Sequence, residues 1–507
     1  MKKQKLIIHP ILFAIYPILS LLHRGLQIPL RVIAPSAWQL ILPALIAVAF
    51  VVLIWLALFL LLRDWSKAAI VASLTALLVF LHGALYLYVL DWFPAAKSWH
   101  LLVFDVVVLA LCGYLLHKSR MRMANLDLVA NAIGLCLVLV PLVPIVIYAF
   151  SHGPAPAVTI PAAHGSPSAG QPPDVYYLIV DGYARDDILR DVYGYDNSAF
   201  LGYLREKGFY VAEASQTNYC QTYLSLASSL NMAYLDDMGA TTDASANPLR
   251  QPGTIGHSAV FEFFRQQGYQ VAAFATGYDG TEIMDADIFL HAPWHLSEFQ
   301  SVLLNMTPIP TTWIELQYDA HRRDIAYILT HLPTIPRDEA PIFAFAHIVV
   351  PHPPFIFGAN GEAVQADRPY SLGDGSHFML EGSVAEYQAG YRDQLIYVNR
   401  ELMRTIDAIL ANSPEPPIII LQSDHGPGSL LDWGCLEQTH MPERMSILNA
   451  LYLPGAAPGT FYREMSPVNT FRLVLNHYFG TQLERLPDRS FYSSYITPYE
   501  FVQVLGR

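Results

Sequence analysis

The sequence predicts a chain in two parts: a multi-span α-helical membrane domain, followed by an α/β domain with a mostly parallel sheet sandwiched by helices. Hydrophobic residues make up 53% of the 507 residues, and the long apolar stretches are confined to the first 150. After them, short apolar runs alternate with segments of helical spacing, a pattern typical of α/β domains. Charged residues amount to only 14% and mean hydropathy is +0.31, which excludes both an ordinary soluble enzyme and a disordered chain.

Five stretches approach the roughly 20 apolar residues that cross a bilayer. The first is interrupted by His9, Pro10 and Pro17. A cleaved signal peptide is the alternative interpretation there, but no small-residue cleavage site follows before His23. The predicted spans are residues 6–22, 39–62, 68–90, 101–116 and 128–150.

Basic residues are divided unevenly along the chain. Residues 1–150 hold 11 Lys and Arg against 4 Asp and Glu, whereas residues 151–507 hold 19 against 39. With five spans, the basic clusters at 2–5, 63–67 and 118–122 share one side, and positive loops stay cytoplasmic. We therefore expect a multi-pass cell-membrane protein with a cytoplasmic amino terminus and an exported carboxyl part, in a periplasm or at a cell surface. Lys207 is the one lysine of that part, which argues against nucleic-acid binding.

Composition also divides the chain into three segments. Residues 1–150 are the predicted transmembrane domain, residues 151–173 a Pro-, Gly- and Ala-rich flexible linker, and residues 174–507 an exported catalytic domain. Cys220 and Cys435 lie in the exported part, where a disulfide between them is permitted. Strands are predicted at 175–180, 209–214, 269–276, 341–349 and 417–423, and helices at 197–208, 258–268 and 386–412.

Acidic and imidazole side chains follow the predicted strands. Asp181 comes directly after one strand and Asp424 with His425 after another, while His347 lies near the end of a third strand, shortly before His352. Ligand sites of parallel sheets lie beyond the carboxyl ends of the strands, so these side chains are candidate metal ligands. Zinc takes imidazole nitrogen and carboxylate oxygen, whereas manganese prefers shells richer in oxygen. Each residue alone is equally compatible with a structural role, such as a helix cap.

A further helix is predicted between the strand at 209–214 and the helix at 258–268, and a threonine hydroxyl lies at its start. Tyr223, Leu226 and Leu230 recur at helical spacing, so the helix begins near Gln221 or Thr222. The positive end of the helix and a nearby metal would both favour the ionised hydroxyl of Thr222, which would make it a nucleophile. The alternative is that Thr222 only caps the helix.

Four motifs, in order behind the apolar spans, resemble one known family: DVYYLIVDGYAR, NYCQTYLSLASSLN, HIVVPHPPF and LQSDHGPGS. They are similar to the sulfatase-like branch of the alkaline phosphatase superfamily, and within it to membrane-tethered lipoteichoic acid synthases and lipid A phosphoethanolamine transferases. The resemblance implies the alkaline phosphatase/sulfatase-like fold, a divalent metal ion (zinc or manganese) and a threonine nucleophile. The implied metal ligands are Asp181, Thr222, Asp424 and His425, the implied substrate-facing residue is His352, and His347 and His440 are further candidates.

The resemblance also implies a reaction. It is a phosphotransfer from a phospholipid donor in the bilayer to an envelope glycan or lipid, through a phosphorylated Thr222. Cys220 is followed by Gln, Thr and Tyr and lacks the Pro and Arg of the C-x-P-x-R sulfatase motif, which argues against sulfate hydrolysis by formylglycine. Two alternatives remain: a metal-dependent phosphodiesterase, phosphatase or other sulfatase-like hydrolase, in which water is the acceptor, and a catalytically silent membrane scaffold or sensor.

Overall fold

A computed structural model describes residues 6–27, 37–93, 95–120, 123–151, 172–241, 254–336, 338–457 and 459–504. The chain forms two compact units, and each is made of two stretches of sequence. The first unit contains Met1–Gly153 and Leu296–Gln317, and the second contains Pro154–His295 and Tyr318–Arg507. Most of the predicted linker lies outside the described residues. The sequence did not predict that Leu296–Gln317 belongs with the first unit.

The first unit is helical. Among the described residues, four helices are long and apolar enough to cross a membrane, and they coincide with four of the five predicted spans. The first predicted span forms a helix but does not meet that criterion, because its polar residues and prolines lower its mean hydropathy. Its side chains Phe13, Ala14 and Ile18 instead pack in the interior of the unit. The five helices are α1 (His9–Gln27), α2 (Ala37–Leu62), α3 (Trp65–Trp92), α4 (Ser98–Lys118) and α5 (Ala124–Ser151).

A buried polar cluster joins α1, α3 and α5. The Nδ1 atom of His9 lies 2.7 Å from the Ser73 hydroxyl, and its Nε2 atom lies 3.4 Å from Oδ1 of Asp127. The Ser66 hydroxyl donates to the other oxygen, Oδ2, of Asp127 at 2.6 Å. Both carboxylate oxygens therefore have a partner, as a polar group among apolar helices requires.

A second polar cluster joins α3 and α4. His82 is fully buried, with Nε2 at 2.9 Å from the Ser98 hydroxyl and Nδ1 at 3.0 Å from Oδ2 of Asp105. The two clusters lie towards opposite ends of α3 and hold the helices in register through hydrogen bonds.

The second unit is an α/β domain around a seven-stranded sheet. Two further strands, β8 (Ser490–Tyr492) and β9 (Val502–Val504), form a separate hairpin. The sheet contains β1 (Val175–Val180), β2 (Tyr210–Val211), β3 (Gln270–Phe274), β4 (Ile288–Leu290), β5 (Ile342–Ile348), β6 (Ile418–Gln422) and β7 (Asn449–Tyr452).

The helices of this unit follow the strands in the predicted alternation. Two short helices, α10 (Glu298–Asn305) and α11 (Ile309–Thr312), belong instead to the inserted part of the first unit. The helices α6–α9 and α12–α15 are Asp186–Asp191, Ser198–Glu206, Thr222–Asn231, Ala259–Gln266, Glu315–His331, Val384–Asn412, Met441–Met445 and Pro467–Phe479.

The strand order is β2-β7-β6-β1-β5-β3-β4, with β1 in the centre. The strands β6, β1, β5, β3 and β4 are mutually parallel and β7 runs antiparallel to its neighbours, so the predicted mostly parallel sheet is confirmed. The strand predicted at 209–214 is shorter than expected. It is reduced to β2 because pairing with β7 ends at Ala212, whose amide donates to the Asn449 carbonyl, and the Ala214 amide bonds instead to the Arg463 carbonyl.

Both faces of the sheet are covered, which explains why every residue of β1 is buried. On one face, Leu178 and Val180 share a hydrophobic cluster with residues of α12 and α13. On the other face, Tyr177 packs edge-on against Phe471 of α15, with ring centroids 5.0 Å apart. Because helices cover both faces of the sheet with apolar contacts, its polar side chains lie at the carboxyl ends of the central strands.

Candidate active site

Strand register brings the predicted ligands to one point. Ile179 of β1 pairs with Gln422 of β6 and, on the other side, with His347 of β5. Asp181 and Asp424 each lie two residues beyond this pair, so they follow the ends of two adjacent strands at the same level. The Gly182 amide donates to Oδ1 of Asp424 at 3.2 Å, which fixes the two loops against each other.

Asp181, Asp424 and His425 form a buried cluster whose ligand atoms all lie within 4.8 Å of one another. Nε2 of His425 is 3.3 Å from Oδ2 of Asp424 and 3.6 Å from Oδ1 of Asp181. Among the described residues, these same two carboxylate oxygens are buried without a hydrogen-bond partner. Unpaired buried carboxylates are costly, so two such oxygens beside an imidazole nitrogen fit a divalent cation.

The imidazole of His425 is oriented by its own loop. Its Nδ1 atom lies 2.9 Å from the Gly426 carbonyl, so Nδ1 carries the proton and the Nε2 lone pair faces the carboxylates. A side chain at Gly426 would place its Cβ 1.9 Å from the Glu443 carbonyl, so only glycine fits this position. Gly182 has a φ of +72°, a conformation that glycine adopts at little cost.

Thr222 lies next to the cluster. It is the first residue of α8, is half-buried, and places its hydroxyl oxygen 3.0 Å from Nε2 of His425. Gln221, not Thr222, occupies the N-cap position. The hydroxyl of Thr222 is therefore directed at the candidate metal ligands while it sits at the positive end of the helix.

His352 approaches the same group from the loop after β5. Its amide donates to the Asp181 carbonyl at 3.2 Å, and its Nδ1 lies 2.6 Å from the Pro353 carbonyl. Its Nε2 is 3.8 Å from Oδ2 of Asp374. Burial lowers the pKa of His352, but the negative charges of Asp181 and Asp374 outweigh that effect and raise the pKa above its usual value.

His347 contacts the cluster through the oxygen of Asp181 that does not face Asp424. Its Nε2 atom is 3.2 Å from Oδ2 of Asp181, and its Nδ1 atom is 2.8 Å from the Thr281 hydroxyl. The ring therefore holds one oxygen of Asp181 and leaves the other directed at Asp424. Burial favours a higher pKa for Asp181, but His352 and His347 hold that pKa below its usual value, so the carboxylate stays ionised.

Two sequence expectations fit the structure less well. His440 precedes α14, and no hydrogen bond or ion pair joins its described ring to the three clustered residues. The disulfide that the sequence permits between Cys220 and Cys435 is not formed, because both are free thiols. Cys220 is fully buried beside Ser493, and burial raises the pKa of its thiol, which disfavours a thiolate nucleophile.

Sequence reasoning missed a buried ion pair between Asp374 and Arg444. Nη1 of Arg444 donates to Oδ2 of Asp374 at 2.6 Å and to the Gly426 carbonyl at 2.8 Å. Nε of the same guanidinium donates to the Cys220 carbonyl at 2.8 Å, so Arg444 ties the loop after β6 to the residues before Thr222. The two partners are 70 residues apart, and neither follows a predicted strand. The only signal in the sequence is that charged residues are scarce, so that each of them is a candidate for a buried role.

Comparison with known proteins gives a family and several distant structural likenesses. The sulfatase family pattern matches residues 173–470, and no curated protein matches the chain. The zinc complex of the periplasmic domain of EptC from Escherichia coli is 13% identical, with a TM-score of 0.45, and covers 68% of this chain and 96% of its own.

The periplasmic domain of the phosphoethanolamine transferase EptC from Campylobacter jejuni is 13% identical, with a TM-score of 0.36 and coverages of 62% and 91%. The phosphonate monoester hydrolase of Agrobacterium radiobacter is 14% identical, with a TM-score of 0.39 and coverages of 63% and 80%. Because every TM-score is below 0.5, these likenesses do not decide the reaction or the substrate.

Proposed function

The chain belongs to the sulfatase family, and from that premise we propose that this sulfatase-like enzyme is a metal-dependent phosphotransferase with Thr222 as its nucleophile. The donor is a phospholipid, and the acceptor is a hydroxyl group of an envelope glycan or lipid. The observation that carries the proposal is the position of the Thr222 hydroxyl, 3.0 Å from Nε2 of His425 and beside two carboxylate oxygens without partners.

Asp181, Asp424 and His425 would hold the metal, with zinc or manganese as the ions that suit this donor set. A divalent cation bound there supplies positive charge that lowers the pKa of an adjacent hydroxyl and offsets charge on phosphoryl oxygens. His347 keeps Asp181 in place, and Arg444 holds the two loops that carry Thr222 and His425.

In the first displacement the oxygen of Thr222 attacks the phosphorus of the donor. The bond from phosphorus to the diacylglycerol oxygen breaks, and His352 donates the proton that this leaving oxygen needs, while the Thr222 proton passes to solvent. In the second displacement an acceptor hydroxyl attacks the same phosphorus and the bond from phosphorus to the Thr222 oxygen breaks; the acceptor proton passes to His352, and the Thr222 oxygen regains a proton from solvent. Four apolar helices on the same chain support a lipid donor, because membrane anchoring raises the effective concentration of a substrate in the bilayer.

The proposal is tested by intact-mass spectrometry of the full chain in nanodiscs of mixed phospholipids, with zinc or manganese added. We expect an adduct of one phosphorylated head group on Thr222, lost in Thr222→Ala and on chelation. The matched control is Ser225→Ala, which removes a buried hydroxyl one turn further along α8 that bonds to Thr217 at 3.0 Å. This control should keep the adduct.

The acceptor is tested in the same preparation. Transfer predicts that diacylglycerol accumulates beyond one equivalent per enzyme only when a hydroxyl-bearing glycan or lipid is supplied. Steady release of free phosphorylated head group without an acceptor would identify a hydrolase instead. An adduct on a residue other than Thr222 would overturn the nucleophile assignment.

A further inference from the structure

The stretch Leu296–Gln317, here named the inserted segment, leaves the α/β domain after β4 and returns to it at α12. Residues 299–314 form 16 consecutive positions without Asp, Glu, Lys, Arg or His. This is too short to cross a membrane, but it suits an element that enters one leaflet and turns back. It contains α10, which Ser297 starts with a capping box to Gln300, and α11.

The inserted segment packs among the helices of the first unit, here also called the membrane unit. Phe299 and Leu303 are 1% and 7% exposed and share a hydrophobic cluster with Leu22 of α1, Ala47 of α2 and Phe80 of α3. The Gly83 amide of α3 donates to the Met306 carbonyl at 3.1 Å. A side chain at Gly83 would bring its Cβ to 2.0 Å from the Asn305 carbonyl, so the backbone of the segment rests directly on α3.

The contact with Gly83 sets the depth of the segment. Gly83 lies nine residues before Trp92, the last residue of α3, which is about 13 Å along a helix. With 28 residues, α3 is about 42 Å long against about 30 Å of hydrocarbon, so an equal overhang at each end is about 6 Å. Gly83 is then about 7 Å inside the hydrocarbon, on the side from which the exported chain enters.

We propose that the inserted segment is a re-entrant membrane element in the exported leaflet, and that its exposed edge binds phospholipid. Trp313 is 67% exposed and Leu316 is 40% exposed at the end of the segment, just after α11, which packs against α4, a helix with many exposed apolar side chains. An exposed indole ring and leucine side chain at the end of such an element fit the boundary between head groups and acyl chains, where tryptophan is enriched. Backbone groups of the turn are hydrogen-bonded within the protein, as irregular structure in a membrane requires: the Met306 carbonyl accepts from Gly83 and the Thr307 amide donates to the Leu304 carbonyl at 2.8 Å.

The test is photo-cross-linking of the full chain in nanodiscs made with phospholipid that carries a diazirine near its glycerol backbone. We expect Trp313 and Leu316 to be labelled to an extent comparable with Ile147 of α5, which is 61% exposed and lies one turn before the end of that helix. Both should exceed by at least roughly fivefold the labelling of Leu380, which is 81% exposed in the α/β domain. Labelling of Trp313 and Leu316 at the level of Leu380 would overturn the proposal.

A second measurement follows oxidation of Met306 by water-borne hydroxyl radicals. We expect Met306 to be protected relative to Met284, which is 38% exposed in the α/β domain. Gly83→Leu should remove this protection by displacing the segment, whereas Gly113→Leu should not, because no atom lies within 4 Å of a Cβ added at Gly113. Equal oxidation of Met306 and Met284 in the unaltered protein would overturn the proposal. Both readouts are independent of catalytic turnover.

Discussion

Both units of this protein bury an aspartate beside a histidine, but they satisfy the carboxylates differently. In the membrane unit, the two oxygens of Asp127 are bound by His9 and Ser66. In the α/β domain, Oδ1 of Asp181 and Oδ2 of Asp424 face each other and His425 without a hydrogen-bond donor. A polar cluster that satisfies its own atoms stabilises packing, whereas one that leaves converging atoms unsatisfied is prepared for a ligand.

Asp105 is an intermediate case that sharpens this distinction. Its Oδ2 is bound to His82, while its Oδ1 is buried without a partner among the described residues. No second carboxylate meets it there, since the described residues that converge as a metal-ligand set are Asp181, Asp424 and His425. One unsatisfied oxygen is therefore not enough to define a metal site; convergence is also needed.

The largest expected effect is on turnover, in Asp424→Asn. We expect activity to fall by at least about 10³-fold, because an amide oxygen cannot replace a charged metal ligand. The unfolding free energy of the metal-free protein should stay the same or rise, since a buried uncompensated charge is removed. Activity assays and chemical denaturation in chelator check both parts. A protein that keeps its turnover but loses its stability would show that Asp424 is structural.

The next effect is on stability, in Arg444→Ala. This change leaves Asp374 buried without its ion-pair partner, and we expect the unfolding free energy to fall by about 3–5 kcal/mol. The control is Arg463→Ala, which removes an exposed ion pair with Glu213 and should cost less than about 1 kcal/mol. Similar losses in the two variants would mean that the buried pair contributes no more than a surface pair.

Metal binding should stabilise the folded protein through the cluster of Asp181, Asp424 and His425, and not through the cluster around Asp127. At a free zinc concentration 100 times the dissociation constant, linkage predicts a gain of about 2.7 kcal/mol in unfolding free energy. Calorimetric scans with and without zinc measure it, and manganese is the parallel titration. The gain should vanish in Asp424→Asn and persist in Asp127→Asn. Persistence in Asp424→Asn would place the ion elsewhere.

The smallest effect is expected in the membrane cluster, in Asp127→Asn. The amide retains one acceptor oxygen, so we expect a stability loss of about 1 kcal/mol, in line with hydrogen bonds between membrane helices. Turnover should change by less than about twofold, since the hydrogen-bond partners of Asp127 lie among membrane helices. Loss of turnover in a variant that remains folded would contradict the structural role assigned to this cluster.

The sequence predicted the candidate site better than it predicted the packing around it. Asp181, Asp424 and His425 could be found because parallel strands deliver their carboxyl ends to one edge, a rule that needs only strand positions. The partnership of Asp374 and Arg444 could not be found, because it depends on the path of loops far apart in sequence. The inserted segment was missed for a different reason: its apolar stretch is shorter than a span, and its burial depends on Gly83, which reads as an ordinary helix residue.

The inserted segment also bears on how the catalytic domain should be prepared. A shortened protein that begins at residue 172 would still carry Phe299 and Leu303, but it would lack the helices that cover them. Two large apolar side chains would then meet water, in addition to Trp313, which is 67% exposed already, and this favours self-association during expression. Solubility of the excised enzyme therefore calls for replacing residues 296–317 by a short polar bridge rather than for trimming at the amino end alone.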